Sequence, residues 1–189
     1  MSPSPVFIVG YGNSLRGDDA VGQEVAQALW ELREHSADLA AASITWAHQL
    51  TPEMAPELAA SGFGIFVDAA AGDRPAGSVT VEVLGGGGCR GAGAPAATGV
   101  AATGVAAMAV ATGCWQDLGP RQLLQLALDL YGNAPPAVLV SVGAGSMEPG
   151  VGLSPAVEAA LPNAVAAVRL VLAAERYRAA HLISPSGCG

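Results

Sequence analysis

Hydrophobic and polar positions follow two patterns along this chain, short apolar runs and longer amphipathic stretches. Apolar runs rich in β-branched and aromatic residues predict buried strands at 6–9, 43–47, 64–70 and 137–142. Apolar residues spaced three and four apart predict helices that begin near Val21, Pro52, Pro120 and Pro155. Residues 78–83 alternate between apolar and polar, which predicts an edge strand.

Strands that alternate with helices predict an α/β domain. We expect a three-layer sandwich with a mainly parallel, five-stranded twisted sheet whose one edge strand is antiparallel. The 189 residues fit a single domain. Two parts depart from the pattern: the Gly/Ala-rich segment 85–117 is expected to be irregular, and the C-terminal tail 179–189 is expected to be loose.

Composition narrows the class of protein. A hydrophobic share of 51% with only 13% charged residues predicts a folded chain. The net charge of -8, with 8 Lys+Arg, argues against a nucleic-acid partner. No uninterrupted apolar run reaches the ~20 residues of a membrane span, and the opening MSPSP does not resemble a secretory signal. The lack of such a run predicts no membrane partner. Because the three cysteines are odd in number and widely spaced, we expect a cytoplasmic protein.

The stretch 6–22, VFIVGYGNSLRGDDAVG, carries the first candidate chemistry. It predicts a strand, a glycine turn, a polar loop and a helix start. Asp18 and Asp19 precede the helix, so one carboxylate can cap it while the other stays free. A nucleotide-binding loop is the less favoured alternative, because Leu15 replaces the third glycine of G-x-G-x-x-G. Two carboxylates at a helix N-terminus also repel phosphate and suit a cation better.

Two further candidate ligands follow neighbouring predicted strands. Asp68 ends the strand at 64–70, and His48 follows the strand at 43–47. Because the carboxyl ends of parallel strands meet at one edge, we expect Asp19, Asp68 and His48 to share a rim. Carboxylate and imidazole donors there are suited to nickel or zinc. The structural alternatives are a helix cap for Asp19, bonds to loop amides for Asp68, and a turn contact for His48.

The segment Gly10–Gly22, GYGNSLRGDDAVG, resembles the opening signature of the NiFe-hydrogenase maturation endopeptidases, G-x-G-N-x-L-x-x-D-(D/E)-x-x-G. The blocks HQLTPE, FVDAA, LLQLALDLYG and LSPAVEAALP are similar to further blocks of that family. The resemblance covers nearly the whole chain except the Gly/Ala-rich segment and the tail.

The resemblance implies a function. Members of this family remove a C-terminal extension from the precursor of the hydrogenase large subunit after nickel has been inserted. The nickel belongs to the substrate and is contacted by two carboxylates and a histidine of the protease. Asp19 matches the second acidic position of the opening motif and Asp68 the second carboxylate. The resemblance therefore implies that Asp19 and Asp68 are the catalytic residues and nickel contacts.

The third contact departs from the family pattern. Where the family has its histidine, this chain reads Cys114-Trp115-Gln116-Asp117-Leu118. Gln116 is nearest by alignment, Cys114 as a thiolate is a better nickel ligand, and His48 is expected on the same rim. The missing histidine also supports an alternative, a non-catalytic relative that binds the immature large subunit.

The cleavage chemistry has no separate sequence signal. The chain has neither the G-x-S-x-G elbow of serine hydrolases nor the H-E-x-x-H of zinc proteases. The residues themselves do not define how the peptide bond is cleaved; the resemblance, with its substrate-borne nickel, favours a route in which that metal polarises the bond or a water.

Overall fold

The computed structural model describes residues 5–85, 88–89, 118–150 and 152–181. The helices are α1 (Val21–Leu32), α2 (Ala55–Ala60), α3 (Pro120–Tyr131) and α4 (Pro155–His181). The strands are β1 (Val6–Tyr11), β2 (Ala42–Ala47), β3 (Phe63–Ala70), β4 (Val79–Gly85), β5 (Gly88–Cys89), β6 (Asn133–Ala134) and β7 (Ala137–Gly143). Short 3-10 turns at Gly17–Ala20 and Pro52–Met54 lead into α1 and α2.

A five-stranded sheet forms the middle layer, in the order β2-β1-β3-β7-β4. The first four strands are parallel, and β4 pairs antiparallel with β7 at the edge. The predicted architecture and the antiparallel edge strand are therefore confirmed. The strands β5 and β6 form a separate two-stranded pair.

Helices cover both faces of this sheet. Ile8 of β1 belongs to the core that includes α1 and α4, whereas Phe7 and Val9 belong to the core that includes α2 and α3. All three side chains are fully buried. Because the central strands β1, β3 and β7 are covered on both sides, the positions at their centres must be apolar, which explains the continuous apolar runs in the sequence.

The final helix is longer than the sequence predicts. It runs to His181, three residues past the expected end near Arg178. By length and composition it is apolar enough to cross a membrane, with a window of hydropathy 1.5. Such a helix alone is weak evidence for a span, because a core helix passes the same test. Its buried positions pack against the sheet, and these are Val157, Ala160, Ala164, Val168 and Leu172.

The crossing of β1 and α1 requires glycine on both elements. The sequence places Gly10 in the turn, but the structure places it inside β1, paired with Trp46 and Val67. A Cβ at Gly10 would lie 1.8 Å from the carbonyl oxygen of Gly22. The turn itself follows at Gly12, whose φ is 142°. Gly10 therefore leaves room for the close approach of α1 and is not a turn residue.

We expect Gly10→Ala to lower the free energy of unfolding by about 2–4 kcal/mol, because its methyl group would displace the backbone of α1. Gly150→Ala is the matched control, since the nearest atom to a Cβ there is 3.9 Å away. Its effect should stay within about 0.5 kcal/mol. Urea unfolding of both variants measures the difference, and equal stability would contradict the packing argument.

Candidate active site

The switch point of the sheet lies between β1 and β3. These strands are neighbours, and the helices that connect them through β2 lie on opposite faces. Ligands of open α/β sheets bind at the carboxyl ends of the strands at such a point. We call this edge the rim and define it as residues 11–19 from the end of β1, 68–70 at the end of β3, and 144–150 and 152–154 after β7.

Asp68 lies at the rim near the end of β3 and is half-buried. Gly10 pairs with Val67, so Tyr11 and Asp68 are the next residues along the two neighbouring strands. The Tyr11 hydroxyl donates a hydrogen bond to the Asp68 carboxylate. The backbone N–H of Ala69 donates a second one to Asp68 Oδ1 at 2.8 Å. Together these contacts fix the orientation of the carboxylate.

The electrostatic surroundings of Asp68 favour its protonated form. Burial and, to a smaller extent, the negative charge of Asp19 together raise the pKa of Asp68 to about 6, against the hydrogen bonds from Tyr11 and Ala69 that lower it. Asp19 and Asp68 are therefore close enough to repel each other. Burial and the neighbouring Asp68 charge also raise the pKa of Tyr11, so its hydroxyl remains a donor at neutral pH.

Asp19 lies in the 3-10 turn before α1 and is half-buried. Its Oδ2 accepts the backbone N–H of Asn13 at 2.9 Å, and its own N–H donates to the carbonyl of Arg16 at 3.1 Å. Within the ranges described, Oδ1 accepts no hydrogen bond, which leaves its lone pairs available to a ligand.

Neither aspartate caps α1, so the predicted cap is wrong. The N-cap position is Ala20, with no side-chain hydrogen bond, because the 3-10 turn Gly17–Ala20 carries the chain directly into the helix. The helix start at Pro52 likewise proceeds through a 3-10 turn without a side-chain cap from Thr51.

Asp18 is buried between the loop after β1 and the loop after β7 and is 0% exposed. Its Oδ2 accepts the backbone N–H groups of Gly145 and Ser146 at 2.7 and 2.9 Å. The hydroxyl of Ser154 also donates to Oδ2 at 2.9 Å, and the Ser154 N–H donates to Oδ1 at 2.6 Å. Burial acts to raise the pKa of Asp18, but these hydrogen bonds outweigh it and hold the pKa below its usual value. One aspartate is thus structural, as the sequence suggests, but through partners that the sequence does not reveal.

His48 stands apart from the acidic pair. It follows β2 and is exposed. Because β1 lies between β2 and β3, the ends of those two strands are two strand spacings apart, about 10 Å. Across residues 5–85, 118–150 and the rest of the described chain, no group of three His, Cys, Asp or Glu side chains is suited to hold a metal ion. Asp19 and Asp68 come together, whereas His48 as the third contact stays a prediction.

The other two candidates for the third contact, Cys114 and Gln116, lie outside the described residues. So does most of the predicted irregular segment 85–117, of which Gly85 ends β4 and Gly88–Cys89 forms β5. The tail beyond His181 also lies outside them.

The fold and the site together define a class of protein: a doubly wound α/β domain with two carboxylates at its switch point. This architecture is that of the hydrogenase maturation endopeptidases, so the resemblance seen in the sequence is confirmed at the level of the fold. No protein-family profile matches the chain, and no curated protein matches it in sequence.

Three solved structures illustrate the likeness. The hydrogenase maturating endopeptidase HybD from E. coli is 22% identical with a TM-score of 0.61, over 90% of this chain and 93% of that chain. The NiFe hydrogenase maturation protease HycI from Thermococcus kodakarensis is 20% identical with a TM-score of 0.61, over 91% and 94%. The hydrogenase 2 maturation peptidase from a Thaumarchaeota archaeon is 25% identical with a TM-score of 0.54, over 89% and 97%.

Proposed function

We propose that this protein is an endopeptidase that removes the C-terminal extension of a NiFe-hydrogenase large-subunit precursor after nickel insertion. The observation that carries the proposal is the acidic pair Asp19 and Asp68 at the switch point of a fold shared with named maturation proteases. Nickel enters as part of the substrate. We also propose that the protein acts in the cytoplasm, where the precursor is made.

Each of the two carboxylates is oriented by its own hydrogen-bond donors. Asp68 is held by the Tyr11 hydroxyl and the Ala69 N–H, and Asp19 by the Asn13 N–H. Their mutual repulsion disfavours the doubly charged pair, and a dication presented by the substrate relieves that repulsion. The pair is therefore suited to contact a metal-loaded substrate, and that metal would polarise the scissile bond or a water.

Incubation with a nickel-loaded precursor tests this function directly. We expect the mass of the precursor to fall by that of its C-terminal extension, and the nickel-free precursor to remain uncut. A related maturation protease that cuts the same precursor serves as the positive control. An intact precursor under conditions in which the control protease cuts it would contradict the proposed activity.

A non-catalytic binding protein is the second candidate. It is favoured by the sequence at 114–118, where the family histidine is missing. Such a protein would co-purify with the uncut precursor, and Asp19→Asn would not weaken that association. An endopeptidase would instead release the shortened large subunit.

Three variants identify the third contact to the substrate metal. Because His48 is exposed and its strand lies two spacings from β3, we expect His48→Ala to retain most of the processing rate. Loss in Cys114→Ser or in Gln116→Ala would assign the contact to that residue. A loss in His48→Ala as large as that of the aspartate variants would assign the contact to His48.

The processing rate should depend on the protonation of Asp68. Its pKa is raised to about 6, so the carboxylate that faces the metal is lost as the pH falls below that value, and the rate should fall with it. Tyr11→Phe removes a hydrogen bond that stabilises the charged form, so it should raise the pKa and shift the acid limb to higher pH. The measurement is the processing rate of Tyr11→Phe divided by that of the wild type, taken at each pH between 5 and 8. Titration of the substrate affects both rates equally and therefore cancels in this ratio. A ratio independent of pH would contradict it.

A further inference from the structure

The buried carboxylate of Asp18 joins two distant loops of the rim. We propose that Asp18 is a positioning residue, which sets the position of Asp19 through its bonds to Gly145, Ser146 and Ser154. We call these four residues the Asp18 clamp. Its effect on processing rests on the proposed function, whereas the coupling of the two loops rests on geometry alone.

The clamp leaves Asp18 unable to act on a substrate. Both carboxylate oxygens are occupied, by three N–H groups and one hydroxyl, and the residue is 0% exposed. A buried charge of this kind is tolerated only while its donors remain in place. The two adjacent aspartates therefore have different roles: Asp19 is available to a ligand at the rim, and Asp18 holds the loop that carries Asp19.

Backbone hydrogen bonds extend the clamp along both loops. The N–H of Asp18 donates to the carbonyl of Ser146 at 3.0 Å, and that of Gly17 donates to the carbonyl of Gly150 at 3.0 Å. In return, the Gly150 N–H donates to the carbonyl of Leu15 at 2.9 Å. The loop after β1 is thus paired with the loop after β7 over several residues, with the buried carboxylate at one end.

Any displacement of Asp18 is transmitted directly to Asp19. The two residues are adjacent in one 3-10 turn, and Asp19 in turn accepts the N–H of Asn13 at 2.9 Å. Packing is tight here, since a Cβ at Gly12 would lie 1.8 Å from the carbonyl oxygen of Asp19. A displacement of the clamp therefore moves the metal-facing carboxylate. A misplacement of about 1 Å at a reacting centre is enough to cost about a hundredfold in rate.

Ser154→Ala tests this coupling while it leaves most of the clamp intact. It removes the hydroxyl that donates to Asp18 at 2.9 Å and keeps the backbone donor of Ser154. Ser61→Ala is the matched control, because it removes a hydroxyl that donates to the carbonyl of Glu57 at 2.9 Å, at the end of α2. Ser154→Thr restores a hydroxyl at the clamp and serves as the rescue.

Two readouts decide the inference. We expect Ser154→Ala to speed amide hydrogen exchange at Asn13 about tenfold and to lower kcat/KM for precursor processing by about tenfold. Ser61→Ala should leave both at the wild-type value, and Ser154→Thr should restore both. Unchanged exchange at Asn13 in Ser154→Ala would overturn the coupling, as would equal losses of activity in the two Ser→Ala variants.

The exchange measurement separates this inference from the proposed function. If the wild-type chain leaves the precursor intact, the proposed function fails, yet faster exchange at Asn13 in Ser154→Ala still establishes that the clamp positions Asp19. If the wild-type chain cuts the precursor and Ser154→Ala cuts it equally well with unchanged exchange, the function stands and the positioning role is overturned.

Discussion

Replacement of Asp19 or Asp68 by alanine should reduce processing of the nickel-loaded precursor by at least about a hundredfold. Both carboxylates lie at the rim, and under the proposed function each supplies negative charge for the metal of the substrate. Neither variant should unfold the protein, because both side chains are half-buried at the ends of elements and not in the two cores. The precursor assay by mass, together with urea unfolding, separates loss of activity from loss of fold.

Asp38→Ala is the control for this result. Asp38 forms an ion pair with Arg169 at 2.9 Å, away from the rim, and such a surface pair contributes about 0–1 kcal/mol. Its processing rate should match that of the wild type. Normal processing by both Asp19→Ala and Asp68→Ala would contradict the contact between the acidic pair and nickel, whatever the activity of the control.

Asp18→Ala should have the largest effect on stability, about 3–5 kcal/mol lost from the free energy of unfolding. The substitution leaves three backbone N–H groups and one hydroxyl without their acceptor inside the protein. Asp19→Ala removes a carboxylate of the same size one residue away, with a single hydrogen bond to Asn13, and should cost about 1 kcal/mol. Urea unfolding at neutral pH compares the two variants.

The same comparison at low pH provides a second check. The pKa of Asp18 is held below its usual value in the folded protein, so its charge stabilises the fold at neutral pH. That contribution is lost as the pH falls through the folded pKa. The stabilities of wild type and Asp18→Ala should therefore converge in acid. A gap that stays constant with pH, or equal stabilities of the Asp18 and Asp19 variants at neutral pH, would contradict the clamp.

Much of the fold could be predicted because it depends on local pattern. The apolar runs around Ile8, Phe66 and Val140 identify strands that are covered on both faces, and these residues are fully buried. The alternation of residues 78–83 predicts the edge strand, which forms β4. The start of α3 was equally predictable, with Pro120 at its first position.

The site was only partly predictable because its contacts span the chain. Asp19 and Asp68 could be placed at one rim because the carboxyl ends of parallel strands meet at the same edge of a sheet. The partners of Asp18, in contrast, lie 127 to 136 residues away, and no local signal links them. Gly10 was placed in the turn because the approach of α1, which forbids a side chain there, is a tertiary effect.

The pairing between the first loop and the loop after β7 has a consequence for biosynthesis. β7 lies between β3 and β4 although it is translated after both, so the sheet stays open until residue 143 has left the ribosome. The hydrogen bonds of Asp18 are completed later still, because they also require Ser154. Because these long-range contacts form late, a nascent or prematurely terminated chain carries Asp19 and Asp68 without the arrangement that aligns them. Asp19 and Asp68, the carboxylates of the candidate site, are therefore translated well before the loop that holds them in place.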